Sequence, residues 1–180
     1  MRRVGRRFFA RDAPTVAPEL LGKVLMVGDL AGRIIEIEAY TQDDPASHSF
    51  RGPTPRTAPM FGAAGHLYVY FTYGMHHCAN VTTGQVGDGQ AVLIRALEPL
   101  RGIDVMIERR GRARNISDGP GKLCQALGVG LSMTGLDLCD RAGQIGIFDD
   151  GVAPPSDPTS TERIGIRVGT DRLWRWIASP

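Results

Sequence analysis

The chain is almost without lysine. Lys23 and Lys122 are the only two, so the other 19 of its 21 basic residues are arginines. That scarcity argues against Schiff-base chemistry, because Lys23 begins a strand-like segment and Lys122 begins a helical one, leaving no isolated amine as a nucleophile. Cysteine is also scarce. Cys78, Cys124 and Cys139 are far apart and form no CxxC pair, so they read as reduced, buried thiols of a cytoplasmic protein. No apolar run approaches the roughly 20 residues that a membrane span needs. Arg6-Arg7-Phe8-Phe9-Ala10 has the look of a twin-arginine export signal, but Arg11, Asp12 and Pro14 interrupt any apolar stretch after it. Net charge is small, +2, and does not by itself mark a nucleic-acid binder. No Ser/His/Asp order stands out. Asp118-Gly119-Pro120-Gly121-Lys122 lacks the spaced first glycine and the Ser/Thr of a phosphate-binding loop.

What is present suits a globular chain of 180 residues, 42% hydrophobic and 22% charged, long enough to bury a real core. One domain over residues 1–180 is expected, with residues 1–12 as a basic N-terminal arm. The preference for arginine fits phosphate recognition, and it equally fits a genome of biased composition. Thr15 can cap a short helix through Leu21, ended by Gly22. Lys23–Val27 and Arg33–Tyr40 read as strands around an Asp29–Gly32 turn. A long polar loop, 41 to about 65, carries His48, Arg51, Thr54 and Arg56, and loops of that length are often functional. Strands follow at His66–Thr72, His76–Thr83 and Ala91–Leu97. Pro99 suits the first turn of a helix with a Leu100, Ile103 and Ile107 stripe. A second helix runs from about Pro120 to before Gly128. Ile164–Val168 and Leu173–Ile177 read as final strands.

Strict alternation puts Ile35, Ile37 and Ala39 on one face of their strand and Glu36, Glu38 and Tyr40 on the other. Two carboxylates on one face fit a solvated edge. They also fit one carboxylate held as a base beside a pocket. Tyr68 and Tyr70 share a face, as ordinary sheet packing would also produce. Tyr73 differs, because it precedes Gly74 at a hairpin tip, where a large aromatic has no core to fill and could wedge into a base stack. A carboxylate beside clustered tyrosines can hold a flat aromatic ligand. If that ligand is a nucleobase drawn from DNA, base excision is the reaction to expect. Adjacent strand residues point to opposite faces, so His76-His77-Cys78 cannot simply share a metal ion.

Several motifs occur in one order: Glu36-Ile37-Glu38-Ala39-Tyr40, His48-Ser49, Thr54-Pro55-Arg56, Leu67-Tyr68-Val69-Tyr70, Tyr73-Gly74-Met75, Asn80-Val81, Leu93–Pro99 and Gly119–Leu127. This series resembles the alkyladenine (3-methyladenine) DNA glycosylase family from about Leu20 to Leu127, and more loosely from Arg163 onward. The resemblance implies an α+β domain around a curved, mainly antiparallel sheet flanked by helices. It implies excision of damaged purines from double-stranded DNA by a monomer, at the bacterial nucleoid in the cytoplasm, without metal or organic cofactor. Glu38 resembles the family's water-activating residue and Arg95 the arginine beside it. Tyr40, His48 and Tyr70 resemble the walls around an extruded base, Asn80 the residue that discriminates among purines, and Tyr73 the wedge. Arg51, Arg56 and Lys122 fall where the DNA backbone would pass. The spacing from Tyr40 to His48 is one residue short of the family pattern, and the segment after Val168 is abbreviated. A non-catalytic nucleic-acid-binding module and a nucleoside hydrolase are the competing readings. Glu38 with its tyrosines weighs against the first, and Tyr73 at a tip among arginines weighs against the second.

Overall fold

A computed structural model of the chain describes residues 1–178. Its nine strands are β1 (Arg2–Arg3), β2 (Val24–Val27), β3 (Leu30–Tyr40), β4 (Leu67–Thr72), β5 (His76–Thr83), β6 (Gln90–Arg101), β7 (Ile145–Asp149), β8 (Thr159–Thr161) and β9 (Arg175–Ile177). The helices are α1 (Arg6–Phe9), α2 (Ala13–Leu20), α3 (Ile103–Arg110) and α4 (Pro120–Leu127). The sheet runs β1-β7-β2-β3-β6-β5-β4, with β9 on β3 and β8 on β9, and the paired strands are antiparallel. This is the curled, antiparallel α+β arrangement expected from the sequence. The core lies on the helix-bearing face, where Val16, Ala17 and Leu20 of α2 and Leu123 and Leu127 of α4 meet Ile34, Ile37, Val81 and Ile94.

The central pair, β3 and β6, departs from strict alternation. Register shifts flank Glu36, so that Ile34 pairs with Leu97, Glu36 with Ala96 and Ile37 with Ile94. Ile35 and Arg95 are therefore the extra residues of two offset bulges. A bulge re-aims the side chains around it. Ile34, not Ile35, joins Ile37 and Ala39 in the core, while Glu36, Glu38 and Tyr40 keep the opposite face. Gly32 is required inside β3, since a Cβ there would lie 3.0 Å from the Leu97 Cβ.

Several boundaries differ from the expected ones. The first hairpin turns earlier, at Gly28-Asp29, because Gly28 takes a φ of +56° and Leu30 pairs with Val27. Helix α2 starts at Ala13 with Pro14 in its first turn and no side-chain cap, so Thr15 lies inside it. Pro99 is a residue of β6, opposite Gly32, and α3 starts only after the left-handed Gly102. Met106, rather than the expected Leu100 and Ile103, is its buried side chain. Residues 164–168 form a loop with Ile164 and Val168 half exposed. Strands β1 and β7 had no clear sequence signal. Residues 1–12 pack onto the sheet instead of extending from it. Strand β1 pairs with β7, Phe9 has no exposed surface, and the Arg3 guanidinium donates to the carbonyls of Leu138 (2.9 Å), Gly143 (2.8 Å) and Ile145 (2.6 Å).

Leu25 is fully buried between β3 and β7. Leu25→Ala is expected to lower unfolding free energy by about 2–5 kcal/mol. Urea titration of both proteins measures the difference, and a loss well below about 1 kcal/mol would show that the site collapses around the deletion.

Candidate active site

Glu38 sits at the floor of a cavity of about 380 Å³ and has no exposed surface. A carboxylate there needs partners, and three side chains or backbone groups supply them. The Tyr40 hydroxyl donates to Oε2 at 2.8 Å. The Ile164 backbone N–H donates to Oε1 at 2.7 Å, and an Arg95 guanidinium nitrogen lies 3.1 Å from the same oxygen. Glu36, two residues earlier on the same face, does not compete for the cavity. Its Oε1 accepts from Arg95 Nε at 2.8 Å and from Arg175 Nε at 2.7 Å. Arg95 thus bridges both acids, and Arg175 arrives because β9 pairs with β3 over Glu36–Glu38. Burial works against the charge on Arg95, but Glu38 and Glu36 outweigh it and hold the guanidinium above its ordinary pKa.

The walls are aromatic. All four tyrosines of the chain, Tyr40, Tyr68, Tyr70 and Tyr73, line this one cavity. His48 closes a side. Its ring packs edge-on to Tyr70 at 4.5 Å between centroids, and its Nδ1 lies 3.1 Å from the Tyr68 hydroxyl. Burial, and then the Arg56 cation, hold the His48 imidazole below its ordinary pKa. Burial, and then Glu38, push the Tyr40 phenol up, so it remains a donor at neutral pH. Burial and Cys78 do the same to Tyr70. The Asn80 amide nitrogen donates to the Tyr68 carbonyl at 3.0 Å, and among the described residues no hydrogen-bond donor reaches its Oδ1.

Tyr73 stands at the tip of the β4–β5 hairpin with 83% of its surface exposed. Its φ of +51° is a left-handed conformation that a bulky residue seldom adopts. Gly74 follows at +67°, so the tip holds an aromatic ring outward on a tight turn. Met75 beside it is 69% exposed.

Glu38, Arg95, Tyr40, His48, Tyr70, Asn80 and Tyr73 are therefore brought together around one cavity. Arg51, Arg56 and Lys122 do not line it. Arg56 is exposed, with its guanidinium 5.6 Å from the Tyr70 ring centroid. Arg51 is an exposed loop residue, and Lys122 is ion-paired with Asp118 at 2.9 Å. Four further residues take part without a site role expected from the sequence. Ile164 lends a backbone group, which no side-chain pattern reports. Arg175 and Arg163 act across the sheet. Gly121 presses on His76, whose ring would lie 2.9 Å from any added Cβ. Alternation could have flagged Cys78, which shares the Tyr70-facing side and whose thiol burial pushes up.

A cavity walled by tyrosines, with an engaged carboxylate at its floor and an aromatic ring thrust out beside its mouth, defines a site for a flat ring attached to a larger body. The family comparison agrees with that class. Residues 7–180 match the model of the methylpurine-DNA glycosylase family (MPG), and the chain belongs to this family of hydrolases acting on N-glycosyl bonds. A Burkholderia orbicola protein is 53% identical over 178 residues, covering 96% of this chain and 86% of its own. A Carboxydothermus hydrogenoformans protein is 47% identical (95% and 92%), and one from Methanoculleus marisnigri is 46% identical (91% and 88%). All three bear the name "Putative 3-methyladenine DNA glycosylase". Among the described residues, no helix is long and apolar enough to cross a membrane.

The two causes acting on His48 can be separated. Its imidazole is expected to titrate below the ordinary value of about 6.5, followed through its ring C–H resonances in NMR. Arg56→Ala should raise that midpoint while leaving it depressed, because burial is the larger cause. A depressed folded value means that charging His48 costs stability as pH falls through and below 6.5. A midpoint at or above 6.5 in the unaltered protein would contradict the enclosed position.

Proposed function

We propose that the chain is a monofunctional DNA glycosylase. It extrudes alkylated or otherwise damaged purines from duplex DNA, hydrolyses the N-glycosidic bond and leaves an abasic site with the strand intact. The observation that carries this reading is the coordination of Glu38. A carboxylate has about four lone-pair positions. The Ile164 N–H takes a position on Oε1, with Arg95 ion-paired to the same oxygen at 3.1 Å, and the Tyr40 hydroxyl takes one on Oε2. Oε2 has a second position with no protein donor among the described residues, and a water held there is the nucleophile in this mechanism.

As the glycosidic bond loosens, C1′ gains positive charge. Glu38 stabilises that charge and takes the proton of the attacking water. Tyr40, Tyr70 and His48 enclose the extruded base, each aromatic stack contributing about 1–3 kcal/mol. An alkylated purine is cationic, and tyrosine faces favour cations. Asn80 Oδ1 offers an acceptor to the base edge, which can separate purines by their exocyclic donors. Rotation of the nucleotide out of the stack costs a few kcal/mol, and Tyr73 offsets this by entering the gap. Arg51, Arg56 and Lys122 contact phosphates around the cavity mouth. The damaged duplex is the partner, met by a monomer at the bacterial nucleoid, and no cofactor takes part.

Glu38→Gln keeps the size of the side chain but removes its charge and basicity and turns one acceptor into an N–H donor. It should slow release of 7-methylguanine from duplex DNA by about 10²–10⁴-fold while duplex affinity changes little. Turnover close to the unaltered protein's would move the base elsewhere. Tyr73→Ser should act on extrusion instead of bond cleavage. A 2-aminopurine reporter next to the lesion should lose its flipping signal, with a smaller loss of single-turnover excision from single-stranded than from duplex DNA. An unchanged reporter together with unchanged duplex excision would make Tyr73 a bystander at the sheet edge.

A further inference from the structure

Arg163 and Asp44 form an ion pair in which neither side chain has any exposed surface. One Arg163 nitrogen donates to Asp44 and to the Ala39 carbonyl at 3.0 Å, and the other donates to the Gly169 carbonyl at 3.0 Å. The guanidinium carbon lies 4.7 Å from the Tyr40 ring centroid and 5.6 Å from that of Trp174. Arg172 in turn lies 4.7 Å from the Trp174 ring and pairs with Asp43 at 2.9 Å. The result is a connected run of Arg172, Trp174, Arg163 and Tyr40, with the neighbouring acids Asp43 and Asp44 neutralising its two cations. Only Tyr40 of this run lines the cavity.

Full burial of a charge pair is a poor way to gain stability, because desolvation offsets the attraction. Here it even leaves Arg163 Nε without a partner. What the fork does achieve is geometric. It ties together the end of β3 at Ala39, the loop at Asp44 and the segment around Gly169. The first carries Tyr40, the second leads into His48, and the third begins with Ile164. Gly169 is shaped for the clamp, with a φ of +64° and only 2.7 Å between a hypothetical Cβ and Asp44 Oδ1. Two of the three groups that hold Glu38, the Tyr40 hydroxyl and the Ile164 N–H, are the immediate dependents of Arg163.

We infer that Arg163 is a positioning residue for base excision, fixing the Tyr40 ring and the Ile164 N–H, and through them the open lone pair of Glu38, without touching the substrate. This rests on the glycosylase reading above. A lysine would keep the charge but could not reproduce the planar fork, and misplacement on the order of 1 Å can cost about a hundredfold in rate.

A double-variant cycle tests it. Arg163→Lys, Tyr40→Phe and their combination are compared by single-turnover excision of 7-methylguanine from duplex DNA, alongside duplex affinity and Tm. Arg163→Lys is expected to slow excision by about tenfold or more, with duplex affinity within about threefold. In the Tyr40→Phe background, where the hydroxyl is already gone, the same change should cost distinctly less. Asp44→Asn, which keeps the side chain's size but removes the charge paired with Arg163, provides a second entry to the cycle if Arg163→Lys folds poorly. Arg33→Met, which breaks the Arg33–Asp150 pair away from the cavity, controls for general destabilisation and should leave the excision rate unchanged below its Tm. Costs that multiply in the cycle, or an Arg163→Lys rate equal to the unaltered protein's, would reduce Arg163 to a structural residue. No base release by the unaltered chain would remove the functional reading itself, and this inference with it.

Discussion

A carboxylate with no exposed surface sets the terms for everything around it. Glu38 lies inside the sheet, where an unpartnered charge would cost several kcal/mol. Its neighbourhood answers with a guanidinium, a phenol and a backbone N–H. Each comes from a different part of the chain: Arg95 from β6, Tyr40 from the end of the same strand, and Ile164 from the C-terminal loop. The offset bulges at Ile35 and Arg95 are the backbone expression of this requirement, since they place Arg95 between Glu36 and Glu38 instead of in the regular ladder. Glu36 then needs a second cation, and β9 delivers Arg175 to it. The C-terminal part of the chain therefore completes the site, and the family match extends through it to residue 180.

The second constraint is shape. The tyrosines form a slot near Glu38, and the hairpin carries the fourth of them out to solvent on a positive-φ turn. A soluble small molecule would need only the slot. A ring exposed at 83% on a strained tip is costly in water and has a use only when something covers it. In the proposed function a duplex does so, and the same contact would supply the space for Tyr73. On that reading the slot and the tip serve one binding event, and the chain's family is one of DNA glycosylases.

Much of this was legible in the sequence where the information is local. Period-two alternation placed Glu38 and Tyr40 on the face away from the core, Tyr68 and Tyr70 on a common face, and Tyr73-Gly74 at a turn. The family motifs named the same residues. What failed was non-local or backbone-borne. Alternation cannot foresee a bulge, so Ile35 was placed where Ile34 belongs. Pro99 read as a helix start, yet a proline fits a strand wherever its missing N–H is not needed. Residues 164–168 looked like a strand because they alternate, and they form a loop whose N–H is used by a carboxylate 126 residues earlier. Arg163 stands in the looser C-terminal part of the family resemblance with no role attached to it, because its partner Asp44 lies 119 residues away and each reads alone as a surface charge.

The most direct measurement is incubation of the unaltered chain with methylated duplex DNA, analysed for free base and for strand breaks before and after alkali. The account predicts released methylpurine and scission that appears only after alkali treatment, as expected of hydrolysis by a carboxylate-activated water with no amine nucleophile. Intact methylated bases after prolonged incubation, or strand breaks before alkali with a borohydride-trapped protein–DNA adduct, would contradict it.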